Sequence, residues 1–386
     1  MVKFFNLKID KITIVGGGIG GLSMANCLQH FGFNFEIFEQ AAELTEVGAG
    51  IGMSKAAMDI LDKLGLLSSL RSSGRFIRYA TLKNKKLELR REIPVDLDSI
   101  CIHRAKLIDV LAEKIPREKV FLKKRAVSIE KNKNTSILHF ADGTQVKSDC
   151  IIVADGINSA MRKSIFPEIK IRFPNQVIWR GLTNLKLPEY YSDRFVEIWD
   201  EQKRFLFTPM NDDHIFWVAI KNGMPYGKDN GSPINELLHE YNDFDDLIKE
   251  LIEKSTHLIR NDLADLGGQK RQWFSDNVCF LGDAIHATTP NLAQGACQAL
   301  EDAYCLALCL KKYGDDLQKV FSTYQKMREG KAMFIVNTSW KLGQMAHTNS
   351  SFIYGLYKLF WKIAPDKLFA KQERKINDLS YMDWLQ

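Results

Sequence analysis

A short strand, a glycine-rich turn and a helix are predicted in direct succession near the start of the chain. Residues 11–15 are rich in β-branched side chains, and a helical pattern follows the glycines through Phe31. Between them, Gly16, Gly18 and Gly21 match the pattern GxGxxG, whose glycines allow a tight turn, close approach to a pyrophosphate, and packing of helix on strand. This succession predicts a Rossmann-like α/β domain that binds a dinucleotide.

A second strand, predicted over residues 34–38, ends at Glu39. This carboxylate follows Gly21 by about 18 residues, near the spacing at which the acidic residue of the motif binds an adenosine ribose. No basic residue directly follows Glu39 to receive a 2′-phosphate. The motif alone does not distinguish FAD from NAD.

Two further aspartates are each predicted at the carboxyl end of an apolar strand, the edge at which open α/β sheets bind ligands. Asp155 begins the stretch Asp-Gly-Ile-Asn-Ser, with Arg162 shortly after it. A plain turn capped by its own polar side chains, with Arg162 in a surface ion pair, explains this stretch equally well. Asp283 follows the second of these apolar strands, and a helix is predicted from Gly295 to about residue 312. An aspartate here can hold flavin ribityl hydroxyls, while the positive end of the helix faces the flavin ring.

The order of these motifs resembles the class A flavoprotein monooxygenases, the group of p-hydroxybenzoate hydroxylase, along nearly the whole chain. The resemblance implies non-covalent FAD, with NADH or NADPH as electron donor. It also implies that O2 adds at the flavin C4a atom, and that the hydroperoxide hydroxylates an aromatic or heteroaromatic small molecule. One alternative is a hydroxylase or epoxidase of large polycyclic or isoprenoid compounds, including antibiotic inactivation. The alternative of another class is a non-catalytic FAD-binding redox sensor.

The resemblance assigns roles to individual positions. The residues expected to bind FAD are Gly16, Gly18, Gly21, Glu39, Gly50, Arg104, Asp155, Asp283, Gly295 and Ala296. Asp155 lies where the family couples flavin and NAD(P)H binding, and Gly50 belongs to a glycine loop at 48–52 that is expected to lie over the flavin. Ala293 stands where many relatives have glycine, so we expect a local adjustment of the backbone there.

Four strands with many aromatic side chains are predicted between the two aspartate motifs, at residues 176–182, 194–199, 204–210 and 214–220. They predict an inserted sheet that covers the flavin. The residues to test first for the substrate pocket are Trp179, Arg180, Phe207, Pro209 and Trp217. Arg180 lies in an apolar segment, so it either pairs with an acid or meets an anionic or carbonyl-bearing substrate. Arg180 and Pro290 are the candidates for substrate positioning and for the cavity wall.

A chain of 386 residues exceeds what one core usually organises. The motifs predict an α/β protein with a Rossmann-like FAD-binding domain, an inserted β-sheet substrate domain and C-terminal helices. The FAD-binding domain is expected at 1–75, 101–170 and 275–345. The substrate domain is expected at 76–100 and 171–274, and the C-terminal helical segment at 346–386.

Charge and cysteine patterns argue against several other classes of protein. The formal net charge of +6 is small for this length and its basic residues are scattered, so we expect no nucleic-acid partner. The seven cysteines form no CxxC pair, which argues against a metal site or a disulfide framework. Residues 1–10 lack the pattern of a secretory signal. We therefore expect a cytoplasmic monomer or homodimer.

The C-terminal segment contains an apolar pattern of helical spacing. Its members are Phe352, Ile353, Leu356, Tyr357, Phe360 and Ile363. We expect this helix to pack these side chains on the core. The alternative is a helix that lies on a membrane surface.

Overall fold

The computed structural model describes residues 9, 11–44, 50–95, 99–131, 135–227 and 231–385. Most of the N-terminal segment, and residues 48–49 of the predicted glycine loop, lie outside the described residues. The strands, in chain order, are β1 (Ile12–Val15), β2 (Phe35–Phe38), β3 (Gly50–Met53), β4 (Gly74–Phe76), β5 (Tyr79–Lys83), β6 (Leu89–Pro94), β7 (Ile100–His103), β8 (Val120–Phe121), β9 (Ala126–Lys131), β10 (Ser136–Phe140), β11 (Gln145–Ser148), β12 (Cys150–Val153), β13 (Gln176–Thr183), β14 (Arg194–Asp200), β15 (Lys203–Pro209), β16 (Ile215–Asn222), β17 (Ser255–Asp262), β18 (Phe274–Ser275) and β19 (Val278–Phe280). The helices are α1 (Ile19–His30), α2 (Lys55–Lys63), α3 (Leu67–Ser73), α4 (Arg104–Ala112), α5 (Ala160–Ile165), α6 (Pro233–Glu240), α7 (Asp246–Glu253), α8 (Asp283–His286), α9 (Gly295–Tyr313), α10 (Leu317–Ala346), α11 (Ser351–Ile363) and α12 (Asp366–Asn377).

The first sheet has the strand order β18-β19-β12-β1-β2-β8. Strand β1 runs parallel to β2 and β12, and β12 runs parallel to β19. The side chains of β1, β12 and β19 are buried, which explains their continuous apolar sequences, since helices cover both faces of such a sheet. Because these strands are parallel, Gly16, Asp155 and Asp283 all follow strand ends at the same edge of the sheet.

The second sheet has seven strands, in the order β17-β13-β16-β15-β14-β5-β6. The four predicted strands form its centre, and β5, β6 and β17 extend it. Side chains alternate between its faces, and Trp179, Phe207 and Trp217 are buried in a core that packs against α6 and α7. These three residues therefore do not line a pocket. Arg180 and Phe216 lie on the opposite face, toward the first sheet.

Two smaller sheets complete the described strands, in the orders β3-β7-β4 and β11-β10-β9. The prediction of a loop at residues 48–52 was wrong in part, because Gly50–Met53 forms strand β3. This strand pairs antiparallel with β7, and Gly50 lies opposite His103. A Cβ atom on Gly50 would lie 2.6 Å from the ring of Phe216, so the close approach of strand β3 to the second sheet requires glycine.

Helix α11 does not bury the side chains that its sequence pattern predicted. Phe352 and Ile363 are 76% and 66% exposed, whereas Tyr354 is buried at 2%. The prediction of core packing was wrong because this helix is apolar around most of its circumference, so its sequence does not specify which side faces the core. Within the described ranges, no helix is long and apolar enough to cross a membrane.

Candidate flavin and substrate site

One cavity of about 1480 Å³ lies between the carboxyl edge of the first sheet and one face of the second sheet. Typical ligand pockets measure roughly 300–1,000 Å³, so this cavity has room for more than one small molecule. Eight of the predicted site residues line it: Gly18, Gly50, Arg104, Arg180, Asp283, Pro290, Gly295 and Ala296. The other four, Gly16, Gly21, Glu39 and Asp155, belong to the turns that support this wall.

The glycine turn after β1 has the geometry that its motif predicts. Gly16 has a φ of +107°, and a Cβ atom on Gly21 would lie 1.9 Å from the carbonyl oxygen of Gly16. The backbone N–H groups of Gly17 and Ala41 donate to the two carboxylate oxygens of Glu39, at 2.5 and 2.7 Å. These bonds hold Glu39 beside the turn and leave its remaining lone pairs for a further donor.

Two helices begin at the cavity wall without a side-chain cap. Helix α1 follows Gly18, and helix α9 follows Gln294; in neither case does the N-cap side chain accept a backbone hydrogen bond. The unpaired N–H groups of a helix N-terminus, with its partial positive charge, form a site for negative charge. A Cβ atom on Gly295 would lie in ordinary van der Waals contact with Thr288 Cγ2 at 3.8 Å and Asp283 Oδ1 at 3.9 Å.

Asp283 begins helix α8 at the end of strand β19, and its side chain is open to the cavity. The surrounding protein raises the pKa of this carboxyl by desolvation, and His286 and Arg104 oppose that shift. Arg104 begins α4, directly after His103, whose Nδ1 accepts from the Ala105 N–H at 3.2 Å. Burial lowers the pKa of Arg104, while the charge of Asp283 raises it. A carboxylate and a guanidinium thus face the cavity close to two helix N-termini.

These groups fit FAD. The uncapped helix N-termini suit the pyrophosphate and the electron-rich edge of the flavin, and Asp283 supplies a carboxylate acceptor for ribityl hydroxyls. The glycines at 16 and 21 cannot carry side chains without collision.

The backbone before α9 makes the local adjustment expected at Ala293. This residue has φ 51° and ψ 33°, in the left-handed region that glycine adopts most easily. Its turn nevertheless closes, because the Ala293 N–H donates to the carbonyl of Pro290 at 3.0 Å. Both Pro290 and Ala293 line the cavity.

Arg162 connects the two aspartate turns. Its guanidinium is fully buried and donates to the carbonyl oxygens of Ala284 at 2.8 Å and Ile157 at 2.5 Å. The surface ion pair considered from the sequence is therefore wrong for Arg162, although Ser159 does cap α5 by accepting from the Arg162 N–H at 2.9 Å. Asp155 accepts from the Ala160 N–H through Oδ2 at 3.1 Å, while its buried Oδ1 has no partner among the described residues.

Arg180 faces the cavity from strand β13. Burial and the neighbouring charge of Arg104 lower its pKa to about 10, so it remains protonated at neutral pH. Among the ion pairs of the described residues, none joins a carboxylate to Arg180. Its positive charge is therefore directed at whatever fills the cavity.

A buried polar group in the second sheet was not predicted from the sequence. Arg204, at 2% exposure, donates to Glu197 and, through Nη1, to Asn291 Oδ1 at 2.6 Å. All three residues line the cavity. The bond to Asn291 ties the second sheet to the turn that carries Pro290. The sequence predicted only a strand for this segment. The one signal for a buried role was that Arg204 begins an apolar run.

A second buried network lies behind the Asp283 turn, on α9 and α10. Arg328 Nε donates to Asp302 Oδ1 at 2.7 Å, and its Nη1 donates to Glu301 Oε2 at 2.8 Å. Asp302 Oδ2 accepts from the Gly282 N–H at 2.9 Å and contacts His286 Nε2 at 2.5 Å. Burial acts to raise the pKa of Asp302, but His286 and Arg328 outweigh it and lower that pKa to about 2. This network braces the turn whose carboxylate faces the cavity.

Comparison with known proteins agrees with this geometry. The model of a family described as an FAD binding domain matches residues 10–339. The chain is also 31% identical over 375 residues to aurachin C monooxygenase/isomerase of Stigmatella aurantiaca, covering 95% of this chain and 97% of that protein. The chain belongs to the class A flavoprotein monooxygenases. This monooxygenase therefore binds FAD, as its motifs predicted, and the prediction of the family is confirmed.

Other relatives of this monooxygenase extend along most of its length. It is 27% identical over 368 residues to 2-heptyl-3-hydroxy-4(1H)-quinolone synthase of Pseudomonas aeruginosa, covering 92% of this chain and 94% of that protein. Its fold matches HpxO of Klebsiella pneumoniae, solved with FAD and uric acid, with a TM-score of 0.88 at 21% identity over 97% of this chain and 98% of that chain. The predicted fold class is thus confirmed. The roles of individual site residues and the domain boundaries remain predictions.

Proposed function

We propose that this monooxygenase takes electrons from NADH or NADPH and uses O2 to hydroxylate a bicyclic N-heteroaromatic ring that carries an apolar chain. A 2-alkyl-4(1H)-quinolone represents this type of compound. The observation that carries the proposal is the cavity of about 1480 Å³, which is lined both by the residues predicted to bind FAD and by many apolar side chains. The cytoplasm, where NAD(P)H is available, is the proposed place of action.

The apolar part of the cavity supports a substrate with a chain. Its walls come from the inner face of the second sheet and from α11 and α12. The apolar side chains from these elements are Phe195, Leu206, Phe216, Val218, Ile220, Phe360, Trp361, Leu368 and Phe369. A buried methylene group contributes about 0.8 kcal/mol, so each additional carbon of a chain would strengthen binding about fourfold.

Polar groups at defined places in the wall support an oriented heteroaromatic ring. Arg180 presents a cation, and the pair of Arg204 with Glu197 presents a donor and an acceptor in the cavity wall. A 4-quinolone has a carbonyl oxygen and a ring N–H, which need one donor and one acceptor when they leave water. Rigid polar partners of this kind fix the orientation in which a ring binds.

FAD, when bound, supplies the redox and oxygen chemistry of the reaction. The chain's own residues bind and orient the two reactants and exclude water. Arg104, Asp283 and the N-termini of α1 and α9 would hold the cofactor's polar groups. The turn of Pro290 and Gly295 lines the cavity, and Asn291 anchors it to Arg204 at 2.6 Å. This anchoring keeps the turn in place while substrate enters and leaves.

The test is a series of 2-alkyl-4(1H)-quinolones with methyl, pentyl and heptyl chains, assayed with the purified FAD-loaded protein. We expect the heptyl compound to accelerate NAD(P)H oxidation and to gain one oxygen atom, detected by mass spectrometry. KM should rise by about fourfold for each methylene removed. The same assay, run with NADH and with NADPH, identifies the electron donor.

Three outcomes would contradict the proposal. If salicylate or uric acid is hydroxylated and the quinolones are not, the substrate is a single compact aromatic compound. If a polycyclic antibiotic or an isoprenoid gains oxygen instead, the alternative substrate class from the sequence applies. If none of the quinolones gains oxygen or accelerates NAD(P)H oxidation although FAD is bound, the proposed substrate class is wrong.

A further inference from the structure

Helix α11 presents an apolar stripe to solvent. Phe352, Leu356, Leu359 and Ile363 follow the spacing i, i+4, i+7 and i+11, which places them on one side of a helix. They are 76%, 51%, 52% and 66% exposed, respectively. A row of four large apolar side chains on one exposed helix face is characteristic of an interaction surface, because single exposed apolar residues are normally scattered.

The orientation of this stripe is fixed by the opposite side of the same helix. Tyr354 is buried, and the ring of Trp361 packs edge-on against Trp199 at 5.4 Å. Arg91 donates to the carbonyl oxygens of Trp361 and Ala364, at 2.8 and 2.7 Å. Since side chains on one side anchor the helix to the second sheet, the stripe on the other side remains directed outward.

Positive charge accompanies the stripe. Residues 351–377 contain six Lys and Arg against two Asp and Glu. All five lysines among them are exposed: Lys358, Lys362, Lys367, Lys371 and Lys375. One of the two acids, Asp366, is already paired with Arg91. An apolar helix face flanked by lysines matches the surface of a bilayer that contains anionic lipid, since the acyl boundary receives the apolar side chains and the headgroups attract the lysines.

The same two helices also form part of the cavity wall. Phe360 and Leu368 line the cavity and are 40% and 47% exposed, so solvent reaches both side chains. Trp361 and Phe369, whose rings stack at 5.1 Å, line the cavity just inside. A lipophilic compound dissolved in a membrane would therefore meet the cavity where α11 and α12 contact the lipid.

We propose that α11 and α12 dock this monooxygenase on the surface of an anionic phospholipid bilayer. The stripe of Phe352, Leu356, Leu359 and Ile363 enters the boundary between headgroups and acyl chains. The site between Phe360 and Leu368 then exchanges lipophilic compounds with the bilayer. The docking step does not depend on the identity of the substrate, because it is measured with no substrate present.

The test is flotation of the FAD-loaded protein with vesicles of equimolar phosphatidylglycerol and phosphatidylcholine, compared with vesicles of phosphatidylcholine alone. We expect binding to the anionic vesicles that weakens as salt is added. The Leu356→Glu/Leu359→Glu variant should lose binding by about tenfold or more, because two charges would enter the apolar boundary. The Lys358→Glu/Lys362→Glu variant should lose the preference for phosphatidylglycerol.

The matched control is Val127→Glu, which places a glutamate at an exposed valine on strand β9. It should bind vesicles like the wild type. Flavin absorbance and melting temperature verify that each variant is folded. Absence of wild-type binding, or equal binding by the Leu356→Glu/Leu359→Glu variant, would overturn the proposal. So would a wild-type dimer in sedimentation that this variant dissociates, since the stripe would then be a contact between two copies of the chain.

Discussion

Replacing Arg328 with methionine tests whether the buried network behind Asp283 stabilises the flavin site. Arg328 is fully buried and donates to both Asp302 and Glu301. Methionine has a similar length and no charge, so among the described residues the two carboxylates would keep Lys331 as a cationic partner and the contact with His286 Nε2. Removing one partner of a buried ion pair costs about 3–5 kcal/mol.

The expected effect on melting follows from the size of the chain. The entropy of unfolding is about 2.1 cal/mol/K per residue, so 386 residues give about 0.8 kcal/mol/K for unfolding as one unit. A loss of about 3–5 kcal/mol then lowers the melting temperature by about 4–6 °C. Since Asp302 also accepts from the Gly282 N–H at 2.9 Å, the Asp283 turn should loosen and the Kd for FAD should rise.

The assay is thermal unfolding followed by intrinsic fluorescence, together with FAD titration of the apoprotein. Arg117→Met, at an exposed position, is the matched control and should melt like the wild type. Adding Asp302→Asn to Arg328→Met should recover part of the loss, because it removes one uncompensated charge. A melting temperature of Arg328→Met within about 1 °C of the wild type would refute the reasoning. Failure of the second substitution to recover stability would show that the cost is not electrostatic.

Four further predictions concern the site. Asp283→Ala should weaken FAD binding by about 1–3 kcal/mol, measured by flavin fluorescence titration, and unchanged affinity would remove its role as ribityl acceptor. Gly295→Val places a side chain beside Asp283, and Pro290→Gly loosens the same turn. In protein that retains FAD, both substitutions should raise the ratio of hydrogen peroxide to hydroxylated product. A wild-type ratio in both variants would contradict this prediction. Arg180→Ala should raise KM for an acidic or carbonyl-bearing substrate more than it lowers the melting temperature; the reverse pattern indicates a structural role. The pKa of Asp302 is lowered from 3.8 to about 2, so its ionised form stabilises the fold above about pH 4, and that contribution is lost as the pH falls toward 2. The stability of Asp302→Asn against unfolding should therefore depend less on pH between about 4 and 2 than that of the wild type.

The first sheet could be predicted because each of its central strands is apolar throughout and is followed by a distinctive turn. The first strand was predicted over residues 11–15 and is observed at Ile12–Val15, and β12 and β19 end shortly before Asp155 and Asp283, as predicted. The additional strands of the second sheet were not predicted, because β6 and β17 are half exposed and rich in charged and polar residues. Such sequences resemble surface loops until their partner strands are known.

The face of the second sheet that meets the cavity could not be predicted from alternation. Both of its faces are buried, one against α6 and α7 and the other against the cavity, so apolar residues occupy both alternating sets. Trp179 and Trp217 were therefore assigned to the wrong face, whereas Arg180 was assigned to the right one because a charged residue is rarely placed in a closed core. The same preference misled the interpretation of Arg162, whose buried guanidinium donates through both terminal nitrogens to backbone carbonyls. No sequence pattern reports such bonds.

The network behind Asp283 also has a consequence for the biosynthesis of the protein. The hydroxyl of Tyr381 donates to Glu301 at 3.0 Å and accepts from Arg328 at 2.6 Å, although it lies 80 residues after Glu301 in the chain. Domains generally fold from the N-terminus as synthesis proceeds. Here the glycine turn emerges from the ribosome early, but the support for the opposite side of the cofactor is completed only when Tyr381 has emerged. We therefore expect flavin loading to be a late event in the maturation of each molecule, and chains whose translation stops before Tyr381 should accumulate as colourless protein.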